Sequence, residues 1–315
     1  MSHEHASLPD SPITLIANPV AGKGRTRRAL RQAEALIRDA GLSVTMQLTT
    51  RPGHATELAR RAAESGVGVV AAMGGDGTVR EVAAGLSGSE STLALIPMGS
   101  GDDFARSLGI PRTLPESFEL LRSGVVSACD VGEDAAGLFI CLSGVGFAAE
   151  VAYEAVRSRV FRRSAGYFMG VFKALVGLRP FSMRLHVDEG PREMDALFAL
   201  VQNTPYCGGG QWMAPDARLD DGLFDIVVVK PVSRLELVRT LPKVYSGKHI
   251  GHPAIEVIRS STARIETDAP LRKLLDGDVM GSEPLDSRVR AGALRVLTPQ
   301  SSSLVSGGSS LTSSP

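Results

Sequence analysis

The chain has 315 residues, 43% hydrophobic and 22% charged, a globular composition that excludes a disordered chain and leaves room for two domains. Its 34 Lys and Arg balance 34 Asp and Glu, which argues against a protein that coats nucleic acid. No window supplies the roughly 18 apolar residues of a bilayer span, no secretory signal opens the chain, and three scattered cysteines (Cys129, Cys141, Cys207) suit a reducing, cytoplasmic compartment.

In chain order, residues 1–11 read as a polar leader, 12–130 as an α/β domain, 131–300 as a β-rich domain and 301–315 as a flexible Ser/Gly tail. Ile13–Ala17 is a short apolar strand stopped by Asn18-Pro19. Thr26–Ala40 spaces Ala29, Leu30, Ala33, Leu36 and Ile37 along one helix face, and Gly41 ends it. Leu42–Thr49 predicts a second strand, His54–Ser65 a helix, Val67–Met73 a third strand, Val79–Leu86 a helix and Thr92–Pro97 a fourth strand. This alternation predicts a doubly wound parallel sheet, whose ligands bind at the carboxyl ends of its strands. Beyond Asp130, the runs Leu138–Leu142, Met183–Val187, Ala196–Val201, Phe224–Val229 and Ala293–Leu297 predict a largely antiparallel domain. Helical insertions fall near Val151–Leu178 and Leu235–Tyr245.

Three glycine loops end strands of the first domain. Gly74-Gly75-Asp76-Gly77-Thr78 lets backbone N–H groups approach a polyphosphate ahead of a helix N-terminus, and its Asp suits an accompanying Mg²⁺. The alternative is a tight turn in which Asp76 caps the next helix. Asn18-Pro19-Val20-Ala21-Gly22-Lys23-Gly24 follows the first strand but lacks Walker A spacing. Ser100, in Gly99-Ser100-Gly101, is either a ligand contact or the N-cap of a helix over Asp103–Leu108. Later, Asp220-Asp221-Gly222 and Asp276-Gly277-Asp278 read as Asp-Gly hairpins or, alternatively, as a hard-cation site and a general base. Between Val156 and Leu178, Arg157, Arg159, Arg162, Arg163 and Lys173 interleave with Phe161, Tyr167, Phe168 and Phe172. That segment is either a buried helix with a solvated face or a basic amphipathic surface for anionic lipid.

Taken in order, these motifs, with Pro97-x-Gly99-Ser100-x-Asp102-Asp103-Phe104-Ala105-Arg106 and Ala214-Pro215-x-Ala217, resemble the diacylglycerol kinase catalytic-domain family. The nearest likeness is to its soluble bacterial lipid kinases, relatives of sphingosine and ceramide kinases, and it runs from about Ile13 to Pro299. Gly-Gly-Asp-Gly-Thr alone is shared with NAD kinases and phosphofructokinases; the full combination is far more specific.

The resemblance implies an ATP- and Mg²⁺-dependent kinase that phosphorylates the hydroxyl of a lipid such as diacylglycerol or a sphingoid base. By motif, it assigns the nucleotide to Asn18, Pro19, Val20, Ala21, Gly22, Thr49, Gly75, Asp76, Gly77, Thr78, Val79, Arg80, Glu81 and Ser100. It assigns the base to Asp276 or Asp278, and a structural Mg²⁺ to the Arg218 and Leu223 carbonyls with the Asp221 side chain. The family usually has Asn where Asp102 stands, Thr for Ser100 and Glu for Asp278; the shorter carboxylate reaches about 1.5 Å less. The rival readings are a kinase of a soluble acceptor (NAD or a sugar) and a nucleotide- or lipid-binding regulator without turnover. The expected setting is cytoplasmic, peripheral at the inner face of an anionic membrane, with a twofold homodimer as the default assembly.

Overall fold

A computed structural model of the chain describes residues 12–157, 173, 175–282, 284–302 and 304. The leader, most of the tail and the basic–apolar stretch from 158 to 172 lie outside the described residues. The chain divides into two units, Met1–Asp130 with Ala291–Pro315, and Val131–Arg290.

In the first unit β1 (Ile13–Ala17), β3 (Val69–Gly74) and β4 (Thr92–Pro97) are buried at every residue, as continuous apolar strands covered on both faces must be. β1 runs parallel between the edge strand β2 (Val44–Leu48) and β3, and β3 runs parallel to β4. The sheet is completed by the end of β18 (Leu285–Thr298), where Arg295 and Val296 lie parallel to Thr92 and Leu93. Sequence placed Ala293–Leu297 with the antiparallel strands; this parallel pairing returns it to the first unit.

The helices of this unit are α1 (Ala21–Asp39), α2 (His54–Glu64), α3 (Asp76–Leu86), α4 (Asp103–Ser107) and α5 (Leu114–Ser123). Phe118 and Leu121 of α5, an element the sequence reading passed over, pack with Ala33 of α1 against Leu15, Val69, Ala71 and Ile96. Because α1, α3 and α4 follow the carboxyl ends of β1, β3 and β4, their starting loops gather along one edge of the sheet.

The second unit opens with the end of β5 (Val125–Asp134), whose Gly132–Asp134 pair β6 (Gly137–Phe139), and β11 (Tyr206–Cys207) pairs β12 (Gln211–Trp212) in a small ribbon. Its main antiparallel sheet takes β7 (Leu142–Gly146), β10 (Phe198–Gln202), β13 (Phe224–Val229), β14 (Ile255–Ser260), β16 (Lys273–Leu275) and β17 (Asp278–Met280) in the order β14-β13-β10-β7-β16-β17. A second antiparallel layer pairs β8 (Phe181–Val187) with β9 (Gly190–Ala196) and β15 (Thr262–Thr267), and β15 with the start of β18.

Alternation along β13 explains its complete burial. Phe224, Ile226 and Val228 join Leu185, Ile265 and Leu285 in a core between the layers. Val227 and Val229 face the other way, onto Phe147 of α6 (Phe147–Arg157) and Leu237 and Val244 of α7 (Arg234–Val244). β9 escaped the sequence reading because Arg192, Met194 and other partly exposed residues alternate along it.

Inside this unit the Lys273 ammonium meets Asp134 at 2.6 Å with both side chains buried, and Asp134 also accepts the N–H groups of Ala136 and Asp286 at 2.8 and 3.0 Å. Full partnering is what makes such a pair tolerable, since one left unpaired would cost about 3–5 kcal/mol. The pair fixes β16 and therefore the turn that follows it. No helix among the described residues is long and apolar enough to cross a membrane.

Candidate active site

The gathered loops of the first unit enclose an open cleft of about 890 Å³ lined by Asn18, Ala21, Gly22, Lys23, Arg25, Arg28, Gly75, Asp76, Gly77, Thr78, Glu81, Gly99, Ser100 and Arg112. Three of its glycines, Gly22, Gly75 and Gly99, stand at close approaches. Gly22 has φ 58°, and a Cβ there would sit 2.1 Å from the Met98 carbonyl oxygen. A Cβ on Gly75 would lie 3.2 Å from Gly99 Cα, so these two loops meet backbone to backbone. The Asn18 amide ties the remaining loop in, donating to Thr78 Oγ1 at 3.1 Å while its oxygen accepts the Val20 N–H at 3.1 Å.

Asp76 holds the cleft together. Its Oδ2 accepts the Asp102 N–H and its Oδ1 the Asp103 N–H, each at 2.9 Å. Asp76 is the first residue of α3, yet the helix it caps is α4, whose own N-cap residue, Asp102, makes no side-chain cap bond. Ser100 is therefore not that cap, and it lines the cleft instead. Burial, reinforced by the charges of Asp103 and Asp102, pushes the Asp76 carboxyl up to about 6.

Asp102 itself sits at φ 51°, a conformation open to Asn and Asp. Its Oδ1 accepts the Gly99 N–H at 2.8 Å, as an Asn oxygen would. Its Oδ2 meets the Arg112 guanidinium at 3.2 Å, so the charge that distinguishes Asp from Asn is balanced locally.

Several sequence-assigned residues take other parts. Glu81 lines the cleft while its carboxylate accepts the Gly53 and Ala55 N–H groups at 3.0 and 3.1 Å, bracing the start of α2. Pro19, Val20, Thr49, Val79 and Arg80 do not line the cleft. Thr49 gives its N–H to Ala17 at 2.9 Å, and Val79 turns into the core because it shares a helix face with Val82, Ala83 and Leu86. In exchange the structure adds Lys23, Arg25, Arg28 and Arg112. The basic run directly behind Gly22 was the signal for the first three; Arg112 had none. With glycine amides, four cations and an α3 start lacking a side-chain cap bond, the cleft fits a nucleoside triphosphate. Asp76 offers Mg²⁺ a hard oxygen donor, with nucleotide phosphates supplying others, so the donor chemistry fits that ion too.

In the second unit, Asp276 and Gly277 are the two turn residues between β16 and β17, at φ 44° and 92°, as a tight hairpin demands. The Asp276 carboxylate reaches back and accepts three N–H groups, from Ile140 at 2.7 Å, Cys141 at 2.8 Å and Leu142 at 2.9 Å. Asp278, paired in register with Leu275, is exposed. The hairpin places one carboxylate as an anchor and the other at the surface.

Residues 12–133 match the diacylglycerol kinase catalytic domain, and residues 142–298 match the YegS C-terminal NAD kinase beta sandwich-like domain. The chain is 30% identical to a diacylglycerol kinase of Bacillus subtilis (strain 168) over 274 residues, 86% of this chain and 90% of that protein. It is likewise 30% identical to a diacylglycerol kinase of Mycobacterium tuberculosis over 296 residues, 91% and 95% of the two chains. The chain belongs to the diacylglycerol kinase catalytic-domain family. It is thus an enzyme, a kinase, and at the level of the family a lipid kinase. A solved diacylglycerol kinase from Bacillus anthracis str. Sterne, 24% identical and covering 92% of this chain and 97% of that one, shares the fold with a TM-score of 0.71.

The Asp221 carboxylate, implied as a Mg²⁺ ligand, is already engaged in this structure. Asp220-Asp221-Gly222 is not a hairpin; it is an irregular bend leading into β13. Asp221 Oδ1 accepts the Leu223 N–H at 3.1 Å, and Oδ2 is paired with the Arg259 guanidinium. The Arg218 side chain turns to Asp220 at 3.0 Å. Arg259, opposite Asp225 across the strands, also stands 3.8 Å from the buried Asp225 carboxylate, which burial pushes up to about 6. A guanidinium thus engages one oxygen of the Asp221 carboxylate.

Two outcomes follow from this geometry. Ionising Asp76 costs folding energy that is absent below about pH 4 and complete above about pH 6. The melting temperature of nucleotide-free Asp76→Asn, relative to wild type, is therefore expected to shift in the variant's favour across that window; a pH-independent difference would contradict it. At Asp221, replacing EDTA by Mg²⁺ in the absence of nucleotide is expected to leave the wild-type Tm unchanged. An occupied site at 100 times its Kd would instead add about 2.7 kcal/mol of stability.

Proposed function

We propose that this lipid kinase uses ATP with Mg²⁺ and transfers the γ-phosphoryl group to the hydroxyl of diacylglycerol or a chemically similar lipid alcohol, acting in the cytoplasm at a membrane face. The supporting observation is the cleft itself, in which Asp76 clamps two glycine loops beside Lys23, Arg25, Arg28 and Arg112. The acceptor lipid is drawn from the family and from relatives that bear the name diacylglycerol kinase.

In the reaction the acceptor oxygen forms a bond to the γ-phosphorus as the bond to the bridging oxygen of ADP breaks, in line, and the hydroxyl proton leaves to a base. Positioning and charge neutralisation carry most of such a transfer. Mg²⁺, when bound, neutralises phosphate charge. The chain's own residues supply the amide cradle and the cations.

Asp278 is the better base. Protonating Asp276 would weaken the hold of a carboxylate that already accepts three amides, whereas Asp278 lies exposed on the adjoining strand. Asp276 is then a positioning residue that holds the hairpin.

Phosphorylation assays in neutral mixed micelles, with diacylglycerol and sphingosine as acceptors and NAD and glucose as soluble alternatives, test the proposal. Turnover is expected on diacylglycerol and not on NAD or glucose. Asp278→Ala should lower kcat by about 10²–10⁴-fold with unchanged Tm. Asp276→Ala strands buried amides and should lower Tm by roughly 4–8 °C. Activity confined to a soluble acceptor would overturn the substrate class, and full activity in Asp278→Ala would overturn the base.

A further inference from the structure

Large apolar side chains are seldom exposed among the described residues, yet four exposed ones share one locality: Leu235 (60%), Val238 (45%) and Tyr245 (58%) along α7, and Val176 (60%) beside it. Arg234, the first residue of α7, donates to the Val176 carbonyl at 2.9 Å and ties that segment to the helix. The spacing puts Leu235, Val238, Pro242 and Tyr245 on one stripe. The opposite face, with Leu237, Thr240 and Val244, is already buried in the second unit. Among the described residues only that inner face is packed, and the outer apolar stripe lies exposed.

Charge identifies its occupant. The exposed residues flanking the stripe include Arg234, Arg239 and Lys243. The helix's single acid, Glu236, is engaged by His252 at 3.1 Å. An apolar ridge bordered by cations is the pattern of a helix lying in a membrane interface, its apolar residues at the acyl boundary and its cations among lipid phosphates. A second copy fits less well, because a twofold contact would lay the patch on itself and gather two sets of Arg234, Arg239 and Lys243 around one seam.

We propose that the outer face of α7, with Val176, is the surface by which this kinase docks on an anionic membrane. The inference rests on the lipid-acceptor reading, since an acceptor held in a bilayer must be approached from its surface. It places docking chiefly on α7, outside the basic stretch singled out in the sequence, and takes from that stretch only Val176, near its end.

The test is co-sedimentation of the full chain with phosphatidylcholine vesicles, with and without phosphatidylglycerol. Wild type, Leu235→Ser/Val238→Ser and Arg239→Glu/Lys243→Glu are compared, with melting curves and oligomeric state measured on each. Binding is expected to need phosphatidylglycerol and to weaken with salt. Each double variant should lose at least about tenfold in vesicle affinity with unchanged Tm, while turnover on diacylglycerol in neutral micelles persists. Undiminished vesicle binding in the charge-reversed variant overturns the proposal, even if the serine variant proves unstable. So does a serine variant that dissociates a dimer without changing vesicle binding. Failure of the wild type on every lipid in micelles, with vesicle binding still dependent on α7, would instead count against the lipid-kinase reading alone.

Discussion

One carboxylate sets the geometry of the first unit's cleft. The two oxygens of Asp76 accept the amides of Asp102 and Asp103, so the loop after β3 and the loop after β4 cannot move independently. Gly75 and Gly99 can then lie against each other with no side chain between them, leaving backbone rather than bulk at the floor of the site. The arrangement costs the protein something: Asp76 is held where burial and two neighbouring acids oppose its charge. A group kept in that condition at a cleft is characteristic of functional sites, where strain and unfavourable electrostatics accompany preorganisation.

The same device recurs elsewhere in the chain. Glu81 accepts two amides at the start of α2, Asp276 accepts three from the strand end and start around Ile140–Leu142, and Asp102 accepts the Gly99 amide. In each case a carboxylate satisfies backbone donors that strand or helix geometry leaves open, and it joins segments otherwise free to drift. Where a carboxylate carries excess charge, a cation answers it: Arg112 for Asp102, Lys273 for Asp134, Arg259 for Asp221. The last of these bears on family resemblance. There the motif carboxylate is kept, and its partner in this structure is a guanidinium.

Much of the first unit was legible in the sequence because its strands are unbroken apolar runs and its helices keep a 3.6-residue period. The glycine loops were legible for the same reason: Gly22, Gly75 and Gly99 stand where strands end. The partners of the carboxylates were not. Nothing in the spacing of Asp76 and Asp103 shows that one caps the other's helix, and nothing marks Arg112 or Arg259 as counterions, since these contacts depend on tertiary placement. β9 was hidden for another reason, its alternating exposure leaving no apolar run to find. Asp276 shows how a residue can satisfy two readings at once, being both the turn of an ordinary hairpin and the anchor of a candidate catalytic strand.

The central claim is that the Asp76 clamp builds a nucleotide site. Calorimetric titration of ATP with Mg²⁺ into the wild type and Asp76→Ala, with melting curves to confirm that both are folded, tests it most directly. The account predicts one site per chain in the wild type and at least about tenfold weaker binding in the variant, where two amides lose their acceptor. Absence of binding in the wild type, or equal affinity in a folded variant, would contradict it.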